Sequence, residues 1–192
     1  MNKSDIISLP NPSLRTRSKK VNVISGHILK LAQNMMDATL SWEDSRKHEI
    51  GVALAAIQVD VPLRVVVIRN DFNNKSDRTF QALIDPKIIR LEGDVLEDYE
   101  GCLSVQNIYG KVRRHSKVKI KAKDLNGKEV RITAEGFLAR VLQYEIDHTD
   151  GITFIDHIKY SPGAFFKLTD SGELEKLDYD KAIKKNKDLW PQ

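Results

Sequence analysis

A chain of 192 residues, 41 % hydrophobic and 30 % charged, has the make-up of one soluble globular domain spanning 1–192. Such a chain can bury roughly 70 % of the surface it exposes when unfolded. The excess of 31 basic over 27 acidic residues is too small to argue for nucleic acid, and the one cysteine, Cys102, excludes an internal disulfide and fits a reducing compartment. The N-terminus lacks an apolar signal core and every apolar run, Val52 to Ile57 and Val65 to Ile68 included, is far short of a membrane span, so a cytoplasmic protein with no membrane or DNA role is expected.

In chain order, Pro10 and Pro12 predict an extended N-terminal arm leading to Leu14-Arg15. Ile28, Leu29, Ala32, Met35, Met36 and Thr39 recur at helical spacing and predict a helix from Ser25, as N-cap, to Leu40. Trp42 to Ile50 reads as a loop or lid. Leu63 to Ile68 is a buried strand by its β-branched run, and Asp71 to Arg78 is a loop. Ala82-Leu83-Ile84 is a short strand limited by Pro86. Lys117 to Lys123 alternates basic residues with Val118, Ile120 and Ala122, which predicts a strand with one wet side. Asn126-Gly127 then turns the chain into Glu129–Ile132. Thr133 is the expected cap of a central helix from Ala134 to about Thr149, ended by Gly151. Asp170-Ser171-Gly172 predicts a second hairpin between Ala164–Leu168 and Glu173–Leu177, and Lys181 to Trp190 reads as a solvated helix. The fold class is α+β, with antiparallel or mixed sheets around the central helix.

Three segments carry chemistry. On the central helix, Tyr144 and His148 project within roughly 40° of each other, with Glu145 beside them and Phe137 and Val141 continuing an inward stripe. Two imidazoles four residues apart with an intervening Glu would form a zinc-hydrolase site, but a tyrosine stands at the first position. Taken alone, this string is as well read as a core helix with a satisfied histidine. Glu100-Gly101-Cys102-Leu103-Ser104 sets a thiol beside a glycine that permits close approach, although a lone cysteine is also an ordinary small core residue. Gly51-Val52-Ala53-Leu54-Ala55-Ala56-Ile57-Gln58 ends a tightly packing run on an amide, whose plainer reading is an exposed side chain after a strand or turn.

Together these segments resemble the peptide deformylase family, marked by G-φ-G-φ-A-A-x-Q, E-G-C-φ-S and Q-H-E-φ-D-H with a downstream D-G. The order is kept, and the likeness extends to Leu14-Arg15, Ala82 to Pro86, Leu125 to Gly127 and Gly151 to Asp156. The resemblance implies a metal-dependent hydrolase that removes the formyl group from the N-terminal methionine of new polypeptides. It gives Cys102 and His148 as ligands of an Fe(II) or Zn(II) ion, and Glu145 as the base and acid that moves the proton from water to the leaving amine. Gln58 and the Leu103 N–H correspond to oxyanion donors, and the backbone around Val52 and Gly101 to the surface on which the peptide pairs like an added strand. A monomer working near the ribosome is expected.

The departures are local. Tyr144 stands where the family has a metal-binding histidine, and it either serves as a ligand in its ionised form or fills the space of a missing ion. Ala53 replaces a glycine, and Gln106-Asn107 stands where many members have Pro-Gly. His27, His48, His115 and His157 lie off ligand spacing. The basic run of Lys111, Arg113, Arg114, Lys117, Lys119 and Lys121 is compatible with docking near ribosomal RNA, or is a solvated strand face. An active deformylase with an unusual ligand set therefore competes with a metal-poor, non-catalytic peptide-binding or regulatory homologue. An RNA-associated structural protein would instead show steep salt dependence.

Overall fold

The structure is a computed structural model that describes residues 1–190. Its elements run α1 (Gly26–Glu43), β1 (Ala53–Ala55), β2 (Val65–Arg69), β3 (Phe80–Cys102), β4 (Val105–Lys123), β5 (Glu129–Glu135), α2 (Gly136–Thr149), α3 (Phe154–Ile158), β6 (Phe165–Leu168) and β7 (Leu174–Lys176). The strands form one antiparallel seven-stranded sheet in the order β1-β2-β3-β4-β6-β7, with β5 pairing β4.

Strand alternation builds two cores. Val65 and Val67 point to one face and meet Ile28, Leu31, Ala32 and Met35 of α1. Val66 and Ile68 point to the other and meet Ala139, Leu142 and Ile146 of α2, together with Val118, Ile120 and Ala122 of β4. The central strands are thus covered on both sides, which accounts for the continuous apolar run of β2. Val118, Ile120 and Ala122 are the dry face that the alternation predicted.

The longest elements are the least legible. β3 does not stop at Pro86; the strand passes it by a register shift between Ile84 and Lys87, with Asp85 at φ 53°. A bulge is where a strand tolerates a residue without an N–H. β3 and β4 then pair as far as Cys102 and Val105, so Leu103-Ser104 is the tip of a long hairpin. The arm is extended only in part, because Pro12–Arg15 forms one 3-10 turn capped by Asn11. Ser25 occupies the N-cap of α1 but its hydroxyl makes no capping bond.

Thr133 does not cap α2. β5 runs on to Glu135, and the chain reverses at Gly136 (φ 59°), with Glu135 in extended geometry as N-cap. The C-terminal segment is not a solvated helix either: a short π-helical turn, Tyr179–Ile183, buries Ile183, and Leu189 packs into the same cluster as Phe154 and Phe165.

Candidate active site

The tip of the β3–β4 hairpin and the buried face of α2 meet at Cys102 and His148. The Cys102 Sγ lies 3.4 Å from His148 Nε2 and accepts the Ser104 N–H at 3.4 Å. Gln58, buried to 1 % exposure, closes the third side. Its Oε1 accepts the Ala55 N–H at 2.9 Å within its own 3-10 turn (Ala56–Val59). The amide nitrogen is thereby turned toward Cys102 Sγ at 3.6 Å and Ser104 Oγ at 3.2 Å. The exposed-amide reading of Gln58 is therefore wrong, because the side chain is pinned at both ends. Ser104, fully buried, is a site residue that the motif reading left unassigned.

Tyr144 and Glu145 complete the cluster. The Tyr144 ring meets the His148 ring edge-on at 4.8 Å. Its hydroxyl stands beside the Cys102 thiol, yet makes no hydrogen bond of good geometry. Glu145 Oε2 and His148 Nδ1 are likewise buried without a partner. Buried polar atoms normally find partners, so three orphans within one turn of α2 mark a place built for something else.

Charge tells the same story. Burial pushes the Cys102 thiol up to about 11 and His148 down to about 4. Burial, and then the nearby thiol and carboxylate, hold the Tyr144 phenol well above 10, and burial with the Glu100 charge holds Glu145 well above the carboxylate range. Burial thus favours the neutral form of all four ionisable groups. A divalent cation would reverse this for thiol and phenol, since metal binding displaces ligand protons. Thiolate sulfur and imidazole nitrogen are two donors that catalytic zinc sites use, and a phenolate oxygen, an iron ligand in catalase haem, supplies a third. The residues fit the group. Among the described residues no three of His, Cys, Asp and Glu gather into a metal site, because Tyr144 occupies the position that would supply the third.

Buried ion pairs hold this geometry. Glu100 accepts both Arg114 nitrogens, at 3.0 and 3.1 Å, and Arg140 at 2.7 Å. Arg114 also pairs with Asp147, which His157 reaches at 2.8 Å, and Arg140 donates to Val112 O and Leu96 O. Arg114 is 6 % exposed, which corrects the reading of the whole basic run as a wet face. Arg113 and Lys121 are exposed, and Lys111, Lys117 and Lys119 half-exposed. The arginines were visible in sequence, but no spacing rule pairs β4 with α2.

The cluster floors a cleft of about 390 Å³ that Val52, Ala53, Gly101, Leu103 and Val141 border. Gly51 is required where it stands, since a Cβ would lie 2.9 Å from Thr39 O. Its N–H is held at 2.8 Å by Glu43 and its C=O at 3.1 Å by Arg69, a fully buried ion pair that fixes the strand behind Val52. Gly101 lets the Tyr109 ring lie against the backbone, where a Cβ would sit 2.5 Å away. Ala53 keeps a negative φ, so its methyl strains nothing, and Asn107 takes φ 58°, which asparagine tolerates. Phe137 does not point inward; it is 47 % exposed and packs edge-on against Phe72. Of the remaining histidines, His48 and His157 contact Asp170 O and Asp147 and neither approaches Cys102.

The family model described as polypeptide deformylase matches residues 3–162. A peptide deformylase of Desulforudis audaxviator is 40 % identical over 151 residues, 79 % of this chain and 90 % of that protein. One of Halothermothrix orenii is 44 % identical over 154 residues, covering 80 % and 92 %. Among solved structures, a peptide deformylase from Synechococcus elongatus in complex with actinonin superposes with a TM-score of 0.72 at 33 % identity, over 81 % of this chain and 80 % of that one. A peptide deformylase from Legionella pneumophila gives 0.69 at 39 % identity, over 79 % and 83 %.

Proposed function

This chain belongs to the polypeptide deformylase family, whose members are metal-dependent hydrolases, and from that premise we propose that it removes the formyl group from the N-terminal methionine of nascent polypeptides. The observation that carries the reading is the convergence of Cys102 Sγ and His148 Nε2 at 3.4 Å beside the unpartnered Tyr144 Oη and Glu145 Oε2.

Cys102, His148 and Tyr144 would hold an Fe(II) or Zn(II) ion. When bound, it supplies Lewis-acid polarisation of the formyl oxygen and a nucleophilic hydroxide at neutral pH. Glu145 takes the proton of the attacking water as the oxygen bonds to the formyl carbon. The same carboxyl then delivers that proton to the amine as the C–N bond breaks, leaving formate and a free methionine amine. Its raised pKa suits the delivery step, because general acids work best near the operating pH. The Gln58 amide and the Leu103 N–H donate to the developing oxyanion, a type of contact worth roughly 3–4 kcal/mol per donor. Val52 and Gly101 present backbone to the substrate as an edge strand does.

A second reading, a peptide-binding homologue without turnover, is favoured by the Tyr144 proton, which burial holds well above pH 10. Anaerobic purification with metal analysis, then a formyl-Met-peptide assay of wild type, Tyr144→Phe and Tyr144→His, separates the two. Metal and turnover in wild type support the enzyme; both appearing only in Tyr144→His would sink it. No helix among the described residues is long and apolar enough to cross a membrane. A cytoplasmic monomer acting near the ribosome is part of the same proposal, with Arg113, Lys117, Lys119 and Lys121 as the basic face.

A further inference from the structure

The match to the family ends at residue 162, yet the cleft does not. Beyond it the chain forms the β6–β7 hairpin, which is firmly seated. Phe165 is fully buried, Tyr109 and Gly110 of β4 pair with Phe166 and Phe165, and the Lys111 N–H donates to Ala164 O at 2.8 Å. The Phe166 ring meets Tyr99 edge-on at 5.0 Å, and the Lys111 ammonium lies 5.2 and 5.8 Å from the two ring centres.

From this anchor the hairpin crosses to the loop that follows α1. Gly172 takes φ +87° and comes so close to the His48 ring that a Cβ would be 3.1 Å from it, while His48 Nε2 lies 3.3 Å from Asp170 O. Leu168 and Leu174 are a cross-strand pair, so both side chains leave the same face. Both border the cleft, as do Trp42 and Tyr109. Lys167 and Glu175 pair on the opposite face, at 3.0 Å. An alternation of leucine toward the cleft and charge away from it makes the hairpin a wall of the site.

We propose that the Leu168–Leu174 pair forms an apolar subsite for the side chains that follow the N-terminal methionine of the substrate, so that large aliphatic residues there are preferred. The inference rests on the deformylase reading for the identity of that substrate. The formyl group must lie at the Cys102–Glu145 end, and the Leu168–Leu174 pair borders the same cleft, within reach of a peptide extending from it. A cleft of about 390 Å³ is in the range that encloses a ligand of several residues' bulk, and its far wall is aliphatic and aromatic. An acidic side chain there would lose water and gain no cation, since Arg46 already faces Glu49 at 3.8 Å and Glu49 accepts the Tyr109 hydroxyl.

The test compares formyl-Met-Leu-Leu-amide with formyl-Met-Ala-Ala-amide on wild type and Leu168→Ala/Leu174→Ala. Each methylene in an apolar pocket is worth ~10-fold or more in kcat/KM. The leucine peptide carries three more side-chain carbons at each of two positions, so wild type is expected to prefer it by well over tenfold, and the double variant to lose most of that preference. An unchanged leucine-to-alanine ratio in the variant overturns the subsite. If the double variant does not fold, each single variant reads the same ratio. Should wild type cleave neither peptide, the deformylase reading fails, and calorimetric binding of the same two peptides still decides the subsite: a leucine preference that the leucine substitutions erase upholds it, and equal affinities overturn it.

Discussion

At the scale of single residues, the chemistry of this chain turns on the Tyr144 oxygen. A phenol buried without a hydrogen-bond partner costs stability, about 1–3 kcal/mol for an unsatisfied hydroxyl. Tyr144→Phe is therefore expected to stabilise the metal-free protein by roughly 1 kcal/mol, read from urea unfolding in the presence of chelator. If the oxygen is a ligand, the same substitution lowers retained Zn(II) or Fe(II) by at least ~100-fold in affinity, since even losing a group that only supports a ligand costs 10–100-fold. Equal metal content in wild type and Tyr144→Phe would show that the oxygen holds nothing. The sequence displayed each of these residues but not their grouping. Cys102 and His148 lie 46 residues apart, and a lone cysteine is usually core. The motifs supplied what no periodicity could. The orphaned oxygen, in contrast, is a fact of packing and is visible only in three dimensions.

Among the elements, the β3–β4 hairpin decides the geometry, because its tip carries Gly101 to Ser104 into the face of α2. Short apolar strands were legible from their alternation. The outer half of β3 was not, since Asp94, Glu97 and Asp98 are exposed there and follow no apolar period. What holds that half in place is the Glu100 pairing with Arg114 and Arg140. Removing Arg140 leaves Glu100 paired with Arg114 alone and strips Val112 O and Leu96 O of a donor, and each unsatisfied buried group costs about 1–3 kcal/mol. Arg140→Met should thus destabilise the chain by several kcal/mol in urea unfolding, whereas Arg78→Ala, which breaks an exposed pair with Asp44, should shift it by under about 0.5 kcal/mol. Comparable midpoints for the two variants would mean that the Glu100 cluster is not a structural anchor. Sequence rules see pairs three or four apart on a helix; here the partners are 14 and 40 residues apart.

For the molecule as a whole, the site sets the pH dependence of stability in the metal-free state, and the signs can be worked out. His148 is pushed down to about 4 from 6.5, so between those values the unfolded chain holds a proton that the native state refuses. Its contribution is fully present above pH 6.5 and is lost as pH falls through 4, with a slope of about 1.4 kcal/mol per pH unit. Glu145 has the opposite sign: raised well above 4.5, it keeps a proton that the unfolded chain has released, so its contribution is present below 4.5 and declines as pH rises. The two slopes oppose each other above pH 4.5, and once the His148 slope ends at 6.5 any remaining slope from Glu145 lowers stability as pH rises. Cys102, pushed up to about 11 from 9.0, adds nothing until the unfolded thiol ionises. Glu145→Gln removes the declining slope. The variant is therefore expected to be more stable than wild type at pH 8 in chelator and to match it near pH 4.5, while its formyl-peptide turnover falls ~10²–10⁴-fold. Identical unfolding midpoints for the two proteins at pH 8 would show that Glu145 is already ionised in the native state. An ionised carboxylate would still take the water proton and pass it to the leaving amine, so that outcome would bear on stability and leave the catalytic role intact.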